Sequence, residues 1–187
     1  MKSCEQTKGQ SVYEHGVSVK NYLFDLLDHL RKGTPLKYKW CLPDWLYENK
    51  DMILKSLPND WTLKLYTEFH DCGKPYCLTI DENGKRHFPN HAKVSYEVFN
   101  QIFDNKISSD LILHDMDIHL LKSEGVPEFC NQPYCLTSLI VGLSEVHSNS
   151  NMFGGMDSEG FIIKSKRINK RGKQIINYLN NNLVVSK

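Results

Sequence analysis

Apolar residues in this chain return at three- and four-residue intervals, in runs that proline and glycine cut short. That spacing lines one stripe of a helix and leaves little room for strands, so it constrains the fold more than any other feature. From 12 to 31, Val12, Val19, Tyr22, Leu23, Leu26, Leu27 and Leu30 fall largely on one face, and Gly33 and Pro35 end the run. A second run, 45 to 57, follows Pro43 and Asp44 and closes at Pro58. A third starts at Asn59 or Asp60, carries Trp61, Leu63, Leu65, Tyr66 and Phe69, and stops at Gly73 and Pro75. Further helices are expected over 92–103, 107–121 and 135–147, the last after breaks at Gly125-Val126-Pro127 and Gln132-Pro133. The 79–88 stretch, centred on Asp81-Glu82-Asn83-Gly84, has turn chemistry and reads as an exposed loop or a small hairpin. Beyond Asn149 the chain turns polar and glycine-rich, FIIKSKRI (161–168) reads as a short strand, and 173–185 as a terminal helix. The expectation is a mainly α fold: one helical bundle over 1–150, with 151–187 as a C-terminal extension packed on it or trailing from it.

With 187 residues, 40% of them apolar, the chain can bury a core without metal or disulfide staples. Its 23 Lys and Arg nearly balance 22 Asp and Glu, and a net charge of +1 removes any argument from bulk electrostatics. A local patch remains. Lys164, Lys166, Arg167, Lys170, Arg171 and Lys173 form a positive surface fit for a nucleic-acid backbone or a polyphosphate, against the plainer reading of a solvated lysine-rich tail. No aromatic residues interleave these charges, as they would on a stacking platform for single strands. MKSCEQTKGQ lacks the apolar core of a secretory signal, and no run approaches the roughly 18 apolar residues of a membrane span, so a cytoplasmic protein is expected. In a reducing compartment the six cysteines should be free thiols. The C-x4-C spacing of Cys72/Cys77 and Cys130/Cys135 is not the tight knuckle of a structural zinc site.

The positions of the histidines carry the functional signal. His15 lies in the first helix, His70-Asp71 ends the third just before Gly73-Lys74, His91 opens the next helix, and His114 lies in the one after. Imidazole and carboxylate aimed into one cavity from helix ends suit borderline or hard divalent metals. Each histidine taken alone reads more simply as an ordinary hydrogen-bonded one. His29, near the end of the first helix, and His87, in the polar loop, read as structural or surface residues.

Read together, EHGVSVKNYLFDLL, FHDCGKP, the DENGK loop, HFPNHAKVSYEVF and LILHDM resemble the HD-domain metal-dependent phosphohydrolases. That family orders a histidine on an early helix, a His-Asp dyad often followed by Gly-Lys, further histidines in its two-metal forms, and a late aspartate. HDCGKP followed by Phe88-x-x-His91-Ala92, with Ser95 four residues after the histidine, looks like the HD modules of bacterial tRNA nucleotidyltransferases and small nucleotide phosphohydrolases. The resemblance spans roughly residues 12–147. It implies that His15, His70 and Asp71 hold a core metal, with His91 and His114 reaching a second. One or two divalent ions would be bound, with Mn, Mg, Fe, Co, Ni and Zn not distinguished. It further implies a water activated by those ions for attack on phosphorus, with Asp71 bridging them. Lys74 would stand by to offset charge on a phosphate oxygen, the alternative being a solvated loop lysine.

One departure stands out. Where the family has its late Ala-Asp, this chain reads SEVHSN, which puts His147 at the carboxylate position. Asp117, three residues from His114 on a common helical face, is the next candidate to complete the set, and Glu145, about 200° around the helix from His147, the last. Met152-Phe153, between polar and glycine residues, reads as an apolar plug or as a loop touching substrate. The functional expectation is a metal-dependent phosphohydrolase for a phosphomonoester, phosphoanhydride or phosphodiester of a nucleotide or a nucleic-acid end. The alternative is a non-catalytic helical module that binds nucleotide or RNA.

Overall fold

A capping box sets the first long helix. Ser11 and Glu14 exchange hydrogen bonds, Ser11 N–H to Glu14 Oε2 at 2.8 Å and Glu14 N–H to Ser11 Oγ at 3.2 Å, and α1 (Val12–Lys32) starts between them. Gly33, at φ 71°, ends it with its N–H on His29 O. The computed structural model describes residues 1–185 and is mainly α. Before α1, β1 (Glu5–Thr7) and β2 (Gln10–Ser11) form a hairpin turned at Gly9, which the sequence reading missed. By contact the chain divides into two compact units, 1–21 with 58–116, and 22–57 with 117–187. The expected 1–150 span contributes to both, and the described part of the expected extension, 151–185, lies in the second. Among the described residues no helix is long and apolar enough to cross a membrane.

In the first unit the start of α1 is joined by α4 (Asp60–Phe69), α5 (Lys74–Cys77), the hairpin β3 (Thr79–Ile80) with β4 (Arg86–His87), α6 (His91–Asn100) and α7 (Lys106–Leu113). Asn59 caps α4 by accepting from Thr62 N–H at 2.9 Å, and Asn105 caps α7 from Ser108 N–H at 2.9 Å. Val12, Val19, Leu63, Tyr66, Phe99, Leu111 and Ile112 are buried, and full burial stabilises each large apolar side chain by about 1.5–3 kcal/mol. The expected helix over 107–121 is two. α7 stops at His114, whose φ of −101° leaves the helical region, and Asp115 turns inward to accept the Tyr66 hydroxyl at 2.7 Å. Tertiary bonding of one buried carboxylate overrides local periodicity there, so His114 and Asp117 share no helical face.

The second unit holds the rest of α1 with α2 (Asp44–Glu48), α3 (Lys50–Ser56), α8 (Asp117–Leu120), α9 (Val126–Cys130), α10 (Cys135–Ser148) and α11 (Glu159–Val185). The run 45–57, expected as one helix, breaks at Asn49, whose side chain turns back to donate to Trp45 O at 2.9 Å. The expected strand at 161–168 is helix instead, continuous with the expected terminal helix. Ser158 Oγ accepts from Phe161 N–H at 3.2 Å, and Phe161, Ser165, Ile168, Gly172, Ile175 and Ile176 are buried at helical spacing. Burial of that stripe outweighs the β preference of Ile162 and Ile163, which are exposed. At Gly172 a β-carbon would lie 2.3 Å from the Trp45 ring, so this glycine lets the indole pack directly against α11.

Candidate metal centre

Two glycines bring the histidines of the first unit together. A β-carbon on Gly16 would lie 2.4 Å from Glu68 O, so α1 rests directly on the backbone of α4, one residue after His15 and just before His70. Lys20 holds the two helices in that register by an ion pair with Glu68 at 2.8 Å. A β-carbon on Gly73 would lie 2.3 Å from Ser95 N, and Gly73 N–H donates to Ser95 Oγ at 2.9 Å. That contact draws the start of α6, with His91, toward Asp71.

The result is a buried polar cluster. His15, His70 and Asp71 are each no more than 2% exposed. His15 Nε2 and His70 Nε2 lie 3.2 Å apart, and Asp71 Oδ2 lies 3.5 Å from the first and 3.3 Å from the second. Such edges suit ligands held about 2.0–2.2 Å from one ion. His70 Nδ1 donates to Thr67 O at 2.9 Å, which orients the ring and leaves Nε2 with its lone pair. His91, half-buried, repeats the device: Nδ1 donates to Phe88 O at 3.0 Å, and Nε2 stands 3.7 Å from Asp71 Oδ1. That buried oxygen accepts no hydrogen bond among the described residues, an orphaned acceptor of the kind a cation satisfies.

Burial opposes the charge on Asp71, yet His70, Lys74 and His15 beside it outweigh burial and hold its carboxyl well below the usual carboxylate range. It is ionised at neutral pH, the form that ligates. Lys74 is buried as well, with Nζ 2.6 Å from Asp71 Oδ2 and 3.0 Å from Gln6 Oε1, so the solvated-loop alternative does not describe it. Cys72 is beside the dyad, but burial pushes its thiol up to about 12 and keeps it protonated. All six cysteines are free.

His114 is exposed at the C-terminal cap of α7. His147, expected to replace the late carboxylate, is a core residue of the second unit with both nitrogens engaged. Nε2 accepts from Cys41 N–H at 3.1 Å, Nδ1 donates to Leu143 O at 2.8 Å, and the ring packs on Trp40 and Phe161. Those bonds leave no lone pair for an ion, which corrects its assignment as a ligand. In the same unit Asp117 accepts from Gln132 Nε2, and Glu145 pairs with His119 at 2.9 Å. Phe153 is half-buried against Gly160 while Met152 is exposed, so the pair does not plug the core together.

Sequence reasoning missed Gln6 and Gly16 as parts of this cluster, and marked Phe88 and Ser95 only as carriers of the resemblance, without a role. The S-x-x-E box and the Lys8-Gly9 turn mark the hairpin that carries Gln6, but nothing marks Gln6 itself. Comparison with protein-family models, with curated proteins and with solved structures returned no match.

Proposed function

We propose that this chain is a divalent-metal-dependent phosphohydrolase acting on a phosphate ester or anhydride of a nucleotide or a nucleic-acid end. The observation that carries this reading is the meeting of His15 Nε2, His70 Nε2 and Asp71 Oδ2 within 3.5 Å of one another, buried, with a lysine on the same carboxylate. Those three atoms would hold the ion, and Asp71 Oδ1 with His91 faces the place for a second. A divalent ion bound there supplies a Lewis acid for a phosphoryl oxygen and a water acidic enough to attack near neutral pH. The chain's own part is to orient the imidazoles through Thr67 and Phe88, to keep Asp71 ionised, and to hold the Lys74 ammonium where charge grows on phosphate.

The reading is tested by metal-dependent phosphate release across nucleoside mono- and triphosphates and cyclic or terminal phosphodiesters. Activity should be lost in His70→Ala and Asp71→Ala. An intact panel in every metal tried would overturn it.

A second reading, a non-catalytic module for nucleotide or RNA, draws on α11. Lys166, Lys170 and Lys173 follow one helical stripe with Arg167 at its edge, while Lys164 lies on another face. None of these five makes an ion pair among the described residues, and all are exposed. Arg171 is different, being tied to Leu121 O at 2.8 Å and to Ser123 Oγ. Retained RNA binding with no hydrolysis of any substrate would favour this reading.

A further inference from the structure

We infer that Lys74 is a latent receptor for a phosphate oxygen, parked on Asp71 until a divalent ion takes that carboxylate; the inference rests on the metal-site reading above. Lys74 Nζ lies 2.6 Å from Asp71 Oδ2, the oxygen that lies 3.3 Å from His70 Nε2 and 3.5 Å from His15 Nε2. An ion on those three atoms would be about 2.1 Å from Oδ2 and so within about 5 Å of the ammonium. Two cations that close in a buried pocket repel strongly, and lysine and metal therefore compete for one carboxylate.

The other neighbours of Lys74 explain where it goes. Gln6 Oε1 accepts from it at 3.0 Å, and the Phe88 ring centroid lies 5.3 Å away. Both attract an ammonium without neutralising it, so a displaced Lys74 stays beside the site with its charge uncompensated. A phosphate that ligates the ion supplies the missing negative charge. Gln6 is thus the positioning residue for Lys74, which makes the β1–β2 hairpin part of the site. Metal and phosphate binding must then be coupled, each strengthening the other by the same factor.

The test is calorimetric titration of Mn2+ into the full chain, with and without millimolar inorganic phosphate, for wild type, Lys74→Met and Lys74→Gln. The Gln variant keeps a donor on Asp71, so the carboxylate is not stranded if the Met variant misfolds. Without phosphate both variants should bind Mn2+ about tenfold tighter than wild type, and the tightening of Mn2+ by phosphate should be about fivefold or more larger in wild type than in either variant. Wild type that binds Mn2+ no more weakly than the variants, or phosphate coupling as strong in them as in wild type, overturns the inference and leaves the metal site standing. Failure of every chain to bind Mn2+ overturns both.

Discussion

His70 and His147 are both buried imidazoles near the end of a helix, each with Nδ1 on a backbone carbonyl three or four residues back. They differ in what meets Nε2. At His147 it is a backbone N–H, with Trp40 and Phe161 against the ring, and the group is satisfied as a neutral core residue. At His70 it is another imidazole nitrogen and a carboxylate, with a lysine on that same carboxylate. Burial does not separate a structural histidine from a ligand; the second nitrogen's partner does.

The sharpest way to break this comparison is at Asp71. Asp71→Ala leaves Lys74 buried without its counterion and should cost about 3–5 kcal/mol in urea unfolding. It should also abolish metal-induced stabilisation, which in wild type reaches about 2.7 kcal/mol at a hundred times the dissociation constant. An Asp71→Ala chain still stabilised by metal would put the ion elsewhere. Next in size is Gly73→Ala, where the new methyl meets the backbone of Val94 and Ser95 and no side chain can yield. The expected loss is about 3 kcal/mol, with weaker metal binding because His91 is pushed from Asp71. Gly172→Ala, which meets a ring rather than backbone, should cost about 1–3 kcal/mol and leave metal binding unchanged.

His147→Leu strands the Cys41 N–H and should cost about 1–3 kcal/mol at neutral pH, again with metal binding intact. Its pH dependence sharpens the contrast. Burial holds the His147 imidazole below its ordinary value, outweighing its contacts to Leu143 and Cys41. The unfolded chain therefore takes up this proton first. The stability due to neutral His147 is present above about pH 6.5 and is lost as pH falls below it, by at most about 1.4 kcal/mol per pH unit. The gap between wild type and His147→Leu should shrink on acidification, and a constant gap would contradict that account. The smallest effect belongs to α11: replacing Lys166, Lys170 and Lys173 by Gln should change stability by no more than about 0.5 kcal/mol. Any nucleic-acid affinity of the chain should fall, together with its salt dependence.

Much of this was legible in the residues. Helical periodicity located α1, α4 and α10 because their apolar stripes agree with tertiary burial. It failed at 107–121, where Asp115 turns in to meet Tyr66, and at 161–168, where local β preference lost to a buried stripe running from Phe161 to Ile176. The His-Asp dyad and His91 stood out in the sequence because their order is distinctive. Gln6 did not, since its role comes from a three-residue strand that packs on Lys74 only after folding. His147 was misjudged because sequence distance placed it at the family's carboxylate, whereas the partner of its second nitrogen, Cys41 N–H, lies 106 residues away in the chain.

The most direct test is metal analysis after dialysis against Mn2+, comparing wild type with the His15→Ala, His70→Ala and Asp71→Ala chains, each verified as folded by circular dichroism. Wild type should retain at least one ion per chain and each variant far less. Wild type without bound metal, or variants that keep as much as wild type, would contradict a metal centre at these residues.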